Sequence, residues 1–302
     1  MVSVSQGAGA SRAGQRWRVE RVLWFCLACS AVYVVFNPLA MLFYPGGTST
    51  DHDAEGYSLL GNFFSDLGMV RTYSGDAKTL SLALFASALA LMGVAFVLFF
   101  AVMPGSFNGT RLEWIASRLG SVAGVLAGVC CVGIAATPWD VYEGAHMVFS
   151  VSLAASFLVA VLCYLVAMLK KKDYPGPCRA VFAGYLCILT VFLYLVIAGP
   201  GAETGRGLVM LAIGQKIVIY AGVLSWVAQF AGALAYQRGR ATQVSDARES
   251  DRPASGSPGV LGREWCLSRK PVNPRAAWRA PAAREPAESG DDRADPIHKR
   301  II

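Results

Sequence analysis

Three groups of polar residues stand out because they lie inside or beside long apolar runs. Lys216 is the clearest, in the last apolar run, roughly 15 Å along the axis from a helix start near Arg206 or Gly207. An ionisable side chain at bilayer depth costs about 2.5–3.5 kcal/mol even on lenient insertion scales, so each one is a candidate for function. An ammonium there could clamp a phosphate or an oxyanion, with Gln215 about 100° away around the helix and Tyr220 one turn on along the same face. The plain alternative is a lysine that snorkels outward or pairs with a carboxylate to lock the bundle.

The second group is Asn62, Ser65 and Asp66 in Gly61-Asn-Phe-Phe-Ser-Asp-Leu-Gly68. Written as a helix, this stretch gathers Ser58, Asn62, Ser65 and Asp66 on one face and Leu59, Phe63, Leu67 and Val70 on the other. Such a pattern suits a short helix lying in the membrane interface. Simple capping by Ser65 or Asp66 is the alternative. The third group is Thr137-Pro-Trp-Asp140 followed by His146. Thr137, Pro138 and Asp140 read as a capping box with proline at the first helical position, which makes Asp140 a cap before it is a catalyst. His146 begins an embedded helix and could act as a general base, with Asp66 as partner and Ser65 as a formal nucleophile. No nucleophile elbow supports the serine. Outside the tail the only histidines are His52 and His146, too few for a membrane zinc hydrolase, so neither a metal nor another cofactor is expected.

The elements that must position these residues are membrane helices. The 302 residues are 55% hydrophobic and 16% charged, with mean hydropathy +0.45, where soluble domains carry about 25% charge. This composition argues against a soluble enzyme, a nucleic-acid binder or a disulfide-stapled secreted domain. Six apolar runs are long enough to span a bilayer: about Val22–Tyr44, Leu80–Met103, Leu119–Ala136, Met147–Leu169, Ala180–Gly199 and Gly207–Ala235. The expected fold is an all-α, six-transmembrane-helix bundle. The third run carries Gly120-x-x-x-Gly124-x-x-x-Gly128, a stripe that lets helix backbones approach closely. Cys26-x-x-Cys29 has redox spacing, but on a helix at lipid depth it reads as small-residue packing.

Lys and Arg set the expected orientation. Ten lie on one side before the tail is counted, whereas the other side has Arg71, Lys78 and Arg206 among eight acids, a net charge of 3 minus 8. Both termini are therefore expected in the cytoplasm, with three loops outside. The N-terminal arginines followed by an apolar run read as a signal-anchor, because the run is too long for a cleaved signal. The expected organisation is a basic N-terminus over 1–20, a membrane domain over 21–236 and a disordered cytoplasmic tail over 237–302. That tail has 13 Lys/Arg against 9 Asp/Glu and little apolar periodicity.

In this topology Asp66, Asp140, His146 and Lys216 all fall in or near the outer third of the bilayer. Together they could close a polar pocket that takes a lipid headgroup or another amphiphile, with or without turnover. Membrane lipid is the expected partner, nucleic acid is not, and self-association is left open. The same residues could serve an ion or small-solute transporter or a scaffold. Six spans without a visible repeat fit a transporter less well.

Asn62-x-x-Ser65-Asp66-Leu67-Gly68 after a first span, then Pro138-x-Asp140 and His146 at the start of the fourth, resembles an uncharacterised family of six-pass bacterial and archaeal membrane proteins. It is the domain of unknown function numbered nine hundred and ninety-eight, itself distantly similar in layout to the FRAG, DRAM and Sfk membrane proteins. The resemblance covers about residues 20–236. It implies a six-helix membrane fold and no established activity. Members often carry an acid followed by Arg near the start of the last span, where this chain has Gln215-Lys216.

Overall fold

The computed structural model describes residues 3–250 apart from residue 78. It is all-helical: α1 (Ser3–Leu42), α2 (Thr79–Val102), α3 (Arg111–Ala136), α4 (Glu143–Lys170), α5 (Gly176–Ala198) and α6 (Gly205–Ser250). All six helices contain stretches long and apolar enough to cross a membrane, which makes this a multi-pass membrane protein. Each helix packs on the next in sequence and α6 returns to α1, closing a ring. One end of the bundle, here the loop end, carries the α1–α2, α3–α4 and α5–α6 connections; the other, the terminal end, carries the α2–α3 and α4–α5 connections, the start of α1 and the far part of α6.

The helices turn to the ring interior through regular stripes. On α1, Val19, Leu23, Cys26, Ser30, Tyr33, Asn37 and Ala40 are buried at alternating spacings of four and three, the seam of a coiled-coil-like contact. Inside the ring, Trp226 of α6 meets Phe96, Phe99 and Phe100 of α2, Phe157 of α4 and Phe182 of α5, with ring centroids 5.0–6.0 Å apart. The α3 glycine stripe packs as its spacing implies. A Cβ on Gly128 would lie 2.6 Å from the Gly93 carbonyl oxygen, and one on Gly124 would strike the Phe100 ring. The α2 and α3 backbones therefore cross in direct contact.

Four local expectations change. First, α3 starts at Arg111 rather than near Leu119, because Thr110 caps it. The Thr110 hydroxyl accepts from the Glu113 amide at 3.1 Å, and the buried Glu113 carboxylate accepts from the Gly109 amide at 3.1 Å. Second, Thr137 and Asp140 do not cap α4, which begins at Glu143 without a side-chain cap. The Thr137 hydroxyl instead donates back to the Gly133 carbonyl and closes α3.

Third, residues 58–70 are no interfacial amphipathic helix. Only Phe64–Gly68 winds, as a single 3₁₀ turn, while Leu59 is exposed and Phe64 is buried. The Asn62 side chain takes the Ser58 amide and reaches the Gly47 carbonyl, bonds that compete with a helical ladder. Fourth, α6 runs past Ala235 to Ser250, so the beginning of the segment expected to lack order is helical. Its continuation has partners: Tyr236 donates to Asp173 at 2.9 Å and Gln237 to Ser106 at 2.8 Å. The rest of the expected disordered tail, 251–302, lies outside the described residues.

Candidate functional site

The α1–α2 connection folds into a plug over the loop end. Gly47 sits at φ +87°, with the backbone of Tyr73 and Ser74 so close that a Cβ would be 2.5 Å from the Ser74 nitrogen, and this seals the two arms of the loop together. At its centre Asp66 is 2% exposed and Asn62 wholly buried. One Asp66 carboxylate oxygen accepts from the Phe63 amide at 2.9 Å and from the Asn62 amide group at 3.0 Å. The Tyr73 phenol lies beside the same carboxylate and close to the Trp139 indole. Asp66 therefore caps the 3₁₀ turn at the centre of the plug.

Two consecutive residues of α6 hold this plug. Gln215 accepts from the Phe64 amide at 2.6 Å through its side-chain oxygen. Lys216, only 9% exposed, occupies the core stripe of α6 that also contains Leu208, Ala212, Val223 and Trp226. Its ammonium donates to the Asn62 carbonyl and, at 3.2 Å, to the Ala212 carbonyl one turn back. The Tyr57 ring lies 5.4 Å from it. Tyr57 in turn donates to the Phe63 carbonyl at 3.0 Å. The lysine does not snorkel; it ends on one loop carbonyl and one helix carbonyl, with the Asp66 carboxylate near enough to act on it electrostatically.

The α3–α4 loop is the third contributor. The exposed Asp140 carboxylate accepts from the Val70 and Arg71 amides, both at 2.9 Å, and so ties that loop to the plug. Buried His146 places Nδ1 2.7 Å from the Thr137 carbonyl oxygen. A carbonyl cannot donate, so Nδ1 carries the proton and, in the neutral ring, Nε2 keeps the lone pair. The Trp139 ring meets the imidazole edge-on at 6.0 Å. Ser65 is half-buried, and among the described residues it makes no hydrogen bond with His146.

The seven candidates thus divide. Asp66 and Lys216 meet at Asn62, Gln215 holds the neighbouring Phe64 amide, Asp140 ties the α3–α4 loop to the plug at Val70 and Arg71, and His146 stays with Thr137 and Trp139 of its own loop. Ser65 and His146 form no nucleophile–base pair. Among the described residues no group of three or more His, Cys, Asp or Glu side chains is placed to hold a metal ion. Tyr44, Tyr57 and Tyr73 were not singled out from sequence, yet all three surround Asp66. Their only sequence signal is the taste of tyrosine for membrane interfaces. Burial first, and then the nearby Asp66 charge, pushes all three phenols well above their ordinary range near 10.

No family model matches this sequence, and neither a curated protein nor a solved structure does.

Proposed function

We propose that the loop end of this membrane bundle binds the headgroup of a lipid or similar amphiphile and holds it without turning it over. The observation that carries this reading is the burial of Lys216 and Asp66 within one network, at the mouth of a bundle otherwise filled by aromatic rings. Apolar residues of similar volume would plug the bundle at lower desolvation cost, so charges kept there point to a polar ligand. Binding is favoured over processing because His146 is engaged with the Thr137 carbonyl rather than with Ser65 or Asp66. The ten-to-three distribution of bases directs this end to the outer leaflet, with both termini in the cytoplasm.

The test is the lipid that remains bound to protein purified gently from its native membrane, identified by mass spectrometry of the organic extract. A defined amphiphile should co-purify with the wild-type chain and be lost from Lys216→Met and Asp66→Asn proteins that still elute as single species. The same extract from all three would overturn the reading. For orientation, a thiol reagent added from outside should label Thr50→Cys, which is exposed on the loop end, and should not label Asp173→Cys.

A further inference from the structure

The opposite end of the bundle carries a second feature, independent of the loop-end site. Where α1 and α6 run alongside each other, Arg16, Arg18 and Arg21 of α1 and Arg238 and Arg240 of α6 are all exposed, with Glu20 the one acid among them. Two tryptophans are interleaved with these bases, Trp17 at 61% and Trp24 at 53% exposure. The Arg21 guanidinium lies 4.3 Å over the Trp17 ring, and that of Arg238 lies 5.6 Å over the Trp24 ring. Arg238 also approaches Glu20 at 3.9 Å, and Glu20 accepts from Arg16 at 3.0 Å, so the two helices share one continuous patch. A third pair at the same end of the ring, Arg118 at 4.3 Å over the exposed Trp114, repeats the arrangement on α3.

Exposed tryptophan on a membrane helix sits at headgroup level, where its apolar body meets lipid and its edge meets water. A guanidinium stacked on such a ring is held by its π face, which leaves its in-plane N–H groups available. Among the described residues neither Arg21 nor Arg238 donates a hydrogen bond to protein. At headgroup level such donors can meet lipid phosphates, whose oxygens the planar fork of arginine matches in pairs. The patch carries five bases against one acid, a net charge of +4.

We propose that this α1–α6 seam is a binding site for anionic phospholipid of the leaflet at the terminal end, with Arg21 and Arg238 as phosphate donors and Trp17 and Trp24 as the platforms that position them. The occupant is a bilayer lipid rather than a soluble anion, because the tryptophans place the donors at headgroup depth.

Full-length protein reconstituted in nanodiscs of equal phosphatidylcholine and phosphatidylglycerol, then released for native mass spectrometry, tests this directly. Retained lipid should be enriched in phosphatidylglycerol. Arg21→Gln and Arg238→Gln should each lower that enrichment by about fivefold, the effect of one base near a charged lipid surface. Trp24→Leu, which leaves every charge in place, should lower it less. Retention in equal proportion by the wild-type chain overturns the proposal, as does enrichment unchanged in the double arginine variant. Should the double variant fail to elute as the wild type does, Arg21→Gln alone decides, since that side chain makes no hydrogen bond or ion pair with the described protein.

Discussion

Asp66 and Lys216 are both buried and charged, yet their removal should have very different consequences. Asp66→Ala deletes the acceptor of the Phe63 amide and of the Asn62 amide group. Asn62 keeps the Gly47 carbonyl as a second acceptor, so the Phe63 amide is left without one. At about 1–3 kcal/mol for the stranded amide and about 1.5–3 kcal/mol for the charge-assisted bond from Asn62, the expected loss is about 4 kcal/mol. Lys216→Met deletes donors instead. The Asn62 carbonyl retains the Tyr57 hydroxyl at 3.4 Å, and the Ala212 carbonyl remains in the backbone ladder of α6. The lost charge-assisted bond is set against an ammonium that need no longer be desolvated, and the net change should stay within about 1 kcal/mol. Thermal unfolding in detergent, followed by a thiol-reactive dye that reports exposure of buried Cys26 and Cys131, makes the comparison. Asp66→Ala should lower Tm by roughly 8–16 °C and Lys216→Met by no more than about 4 °C. The two side chains hold different backbone groups, so the double variant should lose close to the sum of the two. A Lys216→Met loss as large as that of Asp66→Ala, or a double variant more stable than Asp66→Ala alone, would show that the ammonium and the carboxylate are true partners.

Because Tyr44, Tyr57 and Tyr73 are held neutral above their ordinary pKa, the stability they contribute is complete below about pH 10 and is lost as pH rises through their folded values. Ultraviolet titration should show three phenols that ionise only as the loop end opens; three that titrate near pH 10 in the folded protein would contradict their placement. Gly128→Ala forces a methyl against the Gly93 carbonyl and should destabilise by about 1–3 kcal/mol. Gly184→Ala, with open space around it, should stabilise α5 by about 0.5–1 kcal/mol, and both are read from Tm. Asp140→Ala should cost about 1 kcal/mol or less, since the carboxylate is exposed. Hydrogen exchange should then quicken at Val70 and Arg71 and stay unchanged at Phe63 and Phe64.

Much of the helix layout was legible because lipid imposes a length and a polarity on each span. The close packing of Gly124 and Gly128 follows from their spacing, whereas the buried stripe of α1 from Val19 to Ala40 lies on a helix that also exposes Phe25, Val34 and Val35 and so left no such mark. Helix ends were less legible where a polar residue begins a helix outside the apolar run. Thr110-x-x-Glu113 is an ordinary capping signature, but it lay ahead of the hydropathy signal that marked the third span near Leu119. At Thr137-Pro-Trp-Asp140 the same reasoning pointed to a cap that does not form, because both side chains found other partners. A capping pattern shows that a carboxylate is near free amides without showing whose amides they are. Asp140 serves two amides seventy residues away in the chain.

Lys216 was visible because a charge in an apolar run has few inexpensive explanations, whereas its partner was not. The ammonium seeks the Asn62 carbonyl 154 residues earlier, and a main-chain oxygen leaves no mark in a list of side chains. The folded loop solvates the cation with a carbonyl dipole, and the Asp66 charge lies near enough to act on it as well. Each side chain then fastens a different part of the plug: Lys216 and Gln215 pin residues 62–64 to α6, Asp66 closes the turn, and Asp140 ties Val70 and Arg71 to the α3–α4 loop. Two connections far apart in sequence and α6 are thus joined at one end of the ring, so a ligand that moved residues 62–71 would act on α6 and on the α3–α4 loop together.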